Sequence, residues 1–139
     1  MRDIGTAKTA LGEHSIAIVC RGECFTDDGR GISPMLDLIG RETDLRGASV
    51  ADRIVGRAAA LLFLYAGVHE VWATVISRPA LATLLSAGVF CRYDSLTENI
   101  INRKGDGICP MEGAVRGIYD PETAYHLLLR KRDEMRQAR

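Results

Sequence analysis

The run AAALLFLYAGV, residues 58–68, constrains the fold most. It is almost wholly apolar and too short to cross a bilayer, which takes about 20 apolar residues. Water-soluble packing must therefore bury it on nearly every side, as a central element covered by others. The reading takes it as the second half of one helix spanning residues 47–67, GASVADRIVGRAAALLFLYAG. Ser49 then serves as N-cap, Asp52 stands three residues later as a capping acid, and Gly67 closes the helix.

The segments around it alternate in type. Residues 3–12 read as a first helix, and SIAIVCRG (15–22) as a strand. ECFTDDGRG (23–31) reads as a hairpin partner ending in an Asp-Gly turn signal. ISPMLDLIGRE (32–42) has apolar residues at helical spacing, with Ser33 before Pro34 at its start. VHEVWATVIS (68–77) is rich in β-branched residues and reads as a buried strand. RPALATLLSAG (78–88) is a helix with an early proline and a glycine stop, and VFCRY (89–93) a further strand. SLTENII (95–101) fits neither type. A short helix starts at Pro110 and a last one, capped by Asp120 before Pro121, covers 121–136. Strands joined through helices predict an α/β fold, a three-layer α/β/α sandwich with a mixed sheet whose last three strands are largely parallel. The 139 residues suit one domain spanning 1–139.

Charge narrows the function classes. Eighteen basic residues balance 18 acidic ones, so there is no strong nucleic-acid signal. The N-terminus lacks a signal-peptide core. A cytoplasmic protein with reduced cysteines is expected, with no membrane partner. Cys20, Cys24, Cys91 and Cys109 contain no CxxC pair, and three of them fall in or beside strands, where buried cysteine is common. A homo-oligomer is compatible with this composition.

The chemistry-bearing residues cluster in two places. Asp52, Arg53, Gly56 and Arg57 share the proposed helix start. Asp52 there is either a capping acid or a pocket acid, and the two arginines are either an anion site or a solvated face. Gly56 inside a helix costs about 1 kcal/mol against alanine and suggests close approach of a backbone or ligand. The loop NRKGDGICPMEG (102–113) supplies the rest. Asn102, Arg103, Lys104, Gly105, Asp106 and Gly107 could offer backbone N–H groups to an anion, although no Walker motif is present. Cys109 precedes Pro110 at a helix mouth, where a thiol is acidified. A nucleophilic cysteine needs a nearby base, and His14, His69 and His126 are poor candidates. Cys109 therefore reads first as a lining group. Glu112 caps the same helix or presents a carboxylate.

Three segments, GASVADRIVGRAAALL (47–62), VISRPAL (75–81) and INRKGDGICPME (101–112), resemble the domain of unknown function 1893 family, described as having a cytidine-deaminase-like fold. The resemblance covers most of residues 5–130 and implies no assigned activity. Zinc deaminases hold their metal through H-x-E and P-C-x-x-C, with the glutamate shuttling protons. The matching slots here read Val50-Ala51-Asp52 and Pro79-Ala80-Leu81-Ala82-Thr83. Valine and alanine cannot ligate zinc, so no metal and no cofactor are expected. The expectation is a zinc-free deaminase-like protein binding a small polar or nucleotide-like ligand through Ser49, Asp52, Arg53, Gly56, Arg57, Asn102, Arg103, Gly107, Cys109 and Glu112. The alternatives are a metal-independent enzyme using Cys109 or Asp52, and a non-catalytic interaction module.

Overall fold

The computed structural model describes residues 3–102, 104, 105 and 107–138. Helix α1 (Asp3–Leu11) leads into β1 (Ile16–Cys20) and β2 (Glu23–Asp27), followed by α2 (Ser33–Gly40) and β3 (Ser49–Val55). Then come α3 (Arg57–Ala66), β4 (Glu70–Ser77), α4 (Arg78–Ser86), β5 (Phe90–Thr97), α5 (Pro110–Ala114) and α6 (Pro121–Gln137). One five-stranded sheet runs in the order β2-β1-β3-β4-β5. Strand β1 is antiparallel to both neighbours, while β3, β4 and β5 are mutually parallel. The mixed α/β sheet expected from the sequence is present.

The largest departure lies in residues 47–67. They form a strand and a helix, not one helix. SVADRIV crosses the middle of the sheet with its first four residues buried. A strand covered on both faces loses the period-two pattern that would reveal it. Val50, Ile54 and Val55 are β-branched and favour that conformation. Gly56 is the N-cap of α3, in extended conformation, rather than an interior helical residue. Ser49 caps nothing: its hydroxyl donates to Glu70 Oε1 on β4 at 2.6 Å. The Ser-x-x-Asp spacing is therefore a coincidence of strand composition. The parallel trio includes this unforeseen strand and not the hairpin partner counted from the sequence.

Smaller differences follow the same physics. The β1–β2 turn is Arg21-Gly22, both with positive φ (49° and 80°), as a two-residue type I′ hairpin requires. The Asp-Gly signal at 28–29 lies beyond β2, where Asp27 accepts from the Gly29 N–H at 2.6 Å. Ile32, not Ser33, is the N-cap of α2. Strand β5 extends past Tyr93 to Thr97, absorbing part of the segment that fitted neither type.

The larger core lies between the sheet and helices α2, α3, α4 and α6. It holds Ile18, Val50 and Val71 from strands against Leu61, Phe63, Leu84 and Leu128 from helices. On the opposite face α1 packs Ala7 and Leu11 against Ala17, Val19, Ala51 and Trp72. Lys8 lies over the Trp72 ring, 4.8 Å from its centroid. Trp72 is thus a core residue with one ring face under a cation. Asp120 caps α6 as expected, accepting from the Thr123 N–H at 2.9 Å.

Candidate functional site

A cleft of about 470 Å³ opens beside the C-terminal half of β3. Its lining is Ser15, Asp28, Gly29, Arg30, Gly31, Asp52, Arg53 and Ile54. Asp52 lies opposite Ile16 of β1 and Ala73 of β4, so a carboxyl group sits mid-sheet with only 8% of the residue exposed. Removing a carboxylate from water favours its neutral form. Burial pushes the Asp52 carboxyl up from 3.8 to about 7, against a smaller opposing pull from the N–H groups of Arg53 and Ile54.

The rim is built by the turn after β2. The Ser15 hydroxyl lies within hydrogen-bond distance of the carbonyls of Asp27 (2.7 Å) and Gly29 (2.8 Å), fixing that turn to the sheet. Gly29 has no space for a side chain: a Cβ would meet Asp27 Oδ1 at 2.9 Å and Pro34 Cγ at 3.0 Å. His14 Nδ1 pairs with Asp28 Oδ1 at 2.8 Å. Exposed Ile54 adds an apolar wall. The sequence reading missed Ser15, Asp28, Gly29, Arg30, Gly31 and Ile54. Their signal was the glycine pair in DDGRG, which read only as a turn.

Apart from Arg53, which lines the same cleft, the other expected site residues separate. Glu112 Oε1 accepts from the Arg57 N–H at 2.6 Å, and its Oε2 from the Ala58 N–H at 2.8 Å. The helix mouth expected to receive a ligand is thus closed by a carboxylate of the chain itself. Gly56 is required for this closure, because a Cβ there would stand 2.5 Å from Glu112 Oε1. The two arginines diverge instead of forming an anion site. Arg53 donates from Nε to the His14 carbonyl at 2.8 Å and from Nη2 to that of Gly12. Arg57 donates to the carbonyls of Val115 (Nη1, 2.6 Å) and Ile118 (Nη2), with its guanidinium over the Tyr119 ring.

Ile101 and Ile108 form an isolated antiparallel bridge. The Asn102, Gly105 and Cys109 N–H groups donate to the carbonyls of Gly107, Asn102 and Ile100. Those donors are spent within the loop, so the expected nest is not formed by them. Arg103 and Asp106 lie outside the described residues. Gly107 and Cys109 do not line the cleft, and Ser49 belongs to the opposite end of β3. Cys109 is the half-buried N-cap of α5, without a side-chain cap bond. Of the histidines, His14 pairs with Asp28, His126 lies beside Tyr125, and the His69 N–H binds Ala48 before β3.

The proposed metal slots also move. Val50-Ala51-Asp52 is mid-strand, with Val50 in the core, and Ala80 is fully buried at the start of α4. Thr83 donates to the Pro79 carbonyl. Among the described residues, no three His, Cys, Asp or Glu side chains converge as a metal site would require. Cys20 is buried while Cys24, expected to be buried, is exposed. Iodoacetamide should therefore modify Cys24 first and Cys20 last, read by peptide mass spectrometry. Cys91, whose thiol burial raises to about 11, should lag behind Cys109. A Cys109 faster than Cys24 would revive the nucleophile reading.

No helix among the described residues is long and apolar enough to cross a membrane. The comparison with curated proteins returns no match. A crystal structure of a DUF1893 family protein from Thermotoga maritima superimposes with a TM-score of 0.79. Its sequence is 30% identical, and the match covers 88% of this chain and 83% of that one. The family model for the domain of unknown function DUF1893 matches residues 6–131, and the chain belongs to that family.

Proposed function

We propose that the Asp52 cleft binds a small polar molecule through N–H donors presented to the Asp52 carboxylate. The carrying observation is a carboxyl group buried at the floor of an open cleft, where it costs stability unless a ligand or proton compensates it. The cleft volume falls within the range of small-molecule sites. Exposed Ile54 offers a face for a flat ring, and Arg30 on the glycine-flanked rim offers a cation for an anionic end. An amino-substituted heterocycle carrying phosphate meets all three requirements. The deaminase-like resemblance supports the same choice, with hydrogen bonding in place of metal chemistry. A cytoplasmic location, where nucleotides are abundant, is part of this reading.

The test is a nucleobase and nucleotide panel followed by thermal shift and calorimetry on the whole chain. A ligand that donates to Asp52 selects its ionised form. Affinity should therefore rise nearly tenfold per pH unit below about 7 and level off above it. A flat pH profile, or no shift with millimolar ligand, would count decisively against the proposal. A second reading, acid–base catalysis by Asp52 without metal, is favoured by the same raised pKa. Turnover of a bound compound that Asp52→Asn abolishes while binding persists would establish it.

A further inference from the structure

We propose that two copies of the chain associate by antiparallel pairing of β5 with β5, about a two-fold axis at Tyr93. The two edges of the sheet differ. Strand β2 has five residues with acids at both ends, Glu23 and Asp27, which discourages further pairing. Strand β5 has eight residues, FCRYDSLT, and most of them are exposed. It pairs with β4 on one side only, so its outer N–H and C=O groups face away from the sheet.

Side chains fix the partner and the register. Arg92 and Asp94 are exposed, and among the described residues neither makes an ion pair within its own chain. With Tyr93 on the axis, Arg92 of each copy stands opposite Asp94 of the other. Tyr93 then faces its own counterpart. Moving the axis to Arg92 or Asp94 places like charges together, and a one-step slip leaves both charges unpaired. Opposite charges directly across two strands stabilise them, whereas like charges destabilise. An isologous contact satisfies both ion pairs at once.

Apolar groups flank the edge. Phe90 (43% exposed) lies on the α1 face with Arg92, whose guanidinium is 5.3 Å from its ring centroid. Tyr93 (38% exposed), paired with Ala73 of the larger core, lies on the other face. Helix α4 packs against β5 and carries exposed Leu85. A strand edge alone falls short of the ~1,000 Å² that a stable interface buries, and these side chains extend it on both faces. A second copy of this chain is the occupant whose charges match residue for residue.

Sedimentation equilibrium on the full chain tests the pairing. The unaltered protein should be dimeric at tens of micromolar. Arg92→Asp and Asp94→Arg should each be monomeric with unchanged circular dichroism. Mixed in equal amounts they should form a heterodimer. The first variant carries acids at both positions 92 and 94, the second carries bases at both, and each acid then faces a base across the axis. A second measurement needs neither charge variant: Tyr93→Cys should cross-link through residue 93 of both copies on mild oxidation, since residues opposed on the axis fall within disulfide reach. Monomeric protein at every concentration, a dimer indifferent to both reversals, a mixture that stays monomeric, or a Tyr93→Cys variant with no link at residue 93 would overturn the proposal.

Discussion

Asp52→Asn should stabilise the ligand-free protein at pH 8 and have little effect near pH 4. The carboxyl titrates at 3.8 when exposed and at about 7 when folded, so between those values the folded chain binds more protons than the unfolded chain. Unfolding stability therefore falls as pH rises from about 4 to 7, and the full cost is present above that. A displacement of about three pH units corresponds to an upper figure of about 4 kcal/mol. Asparagine keeps the shape, removes the charge and lets the backbone N–H groups of Arg53 and Ile54 bond an amide oxygen. Urea denaturation at pH 4, 6 and 8 would show the two curves diverging with pH. Parallel curves would mean that water reaches Asp52 freely and its acidity is ordinary.

The second large effect concerns the closure of α3. Glu112→Ala should cost about 1–3 kcal/mol, since two helix-start N–H groups lose a charged acceptor. Gly56→Ala should cost a similar amount by a different route. The new Cβ occupies the place of the Glu112 carboxylate and drives it off the helix. If that is the whole cause, Gly56→Ala should be close to neutral, or slightly favourable, in the Glu112→Ala background. The double-mutant cycle measures this coupling directly, and additive losses would refute the steric account. Glutamine at 112 should recover part of the loss, as it keeps one acceptor without charge.

The chain's alternation of strand-like and helix-like segments was legible, because punctuating glycines and prolines mark most boundaries. Asp120-Pro121 and Gly67 stop or start helices as their chemistry predicts. The strand β3 was not legible. Both faces of SVAD are covered, so no period of two survived there, and Ser49 and Asp52 imitated a helix cap. That one error carried the site with it. Placed on a helix, Asp52 was grouped with Cys109 and Glu112 in one expected site. Placed on a strand, it faces the turn at 28–31, and Glu112 meets Gly56 and Arg57 instead. Asp52 and Gly56 drew notice as a helix-start acid and an interior helical glycine, whereas they are a mid-strand acid and a helix N-cap. Their partners depended on tertiary pairings, 55 residues apart for Arg57 and Glu112, which local spacing does not encode.

The Glu112 clasp also sets a timetable. By Thr97 the chain has supplied every strand of the sheet and the helices that cross over it. The first donors of α3 still wait for an acceptor 55 residues downstream. As the chain leaves a ribosome, the sheet can pair while the middle helix remains frayed at its start. The short α5, which contributes little buried surface of its own, supplies the acceptor that completes the start of α3.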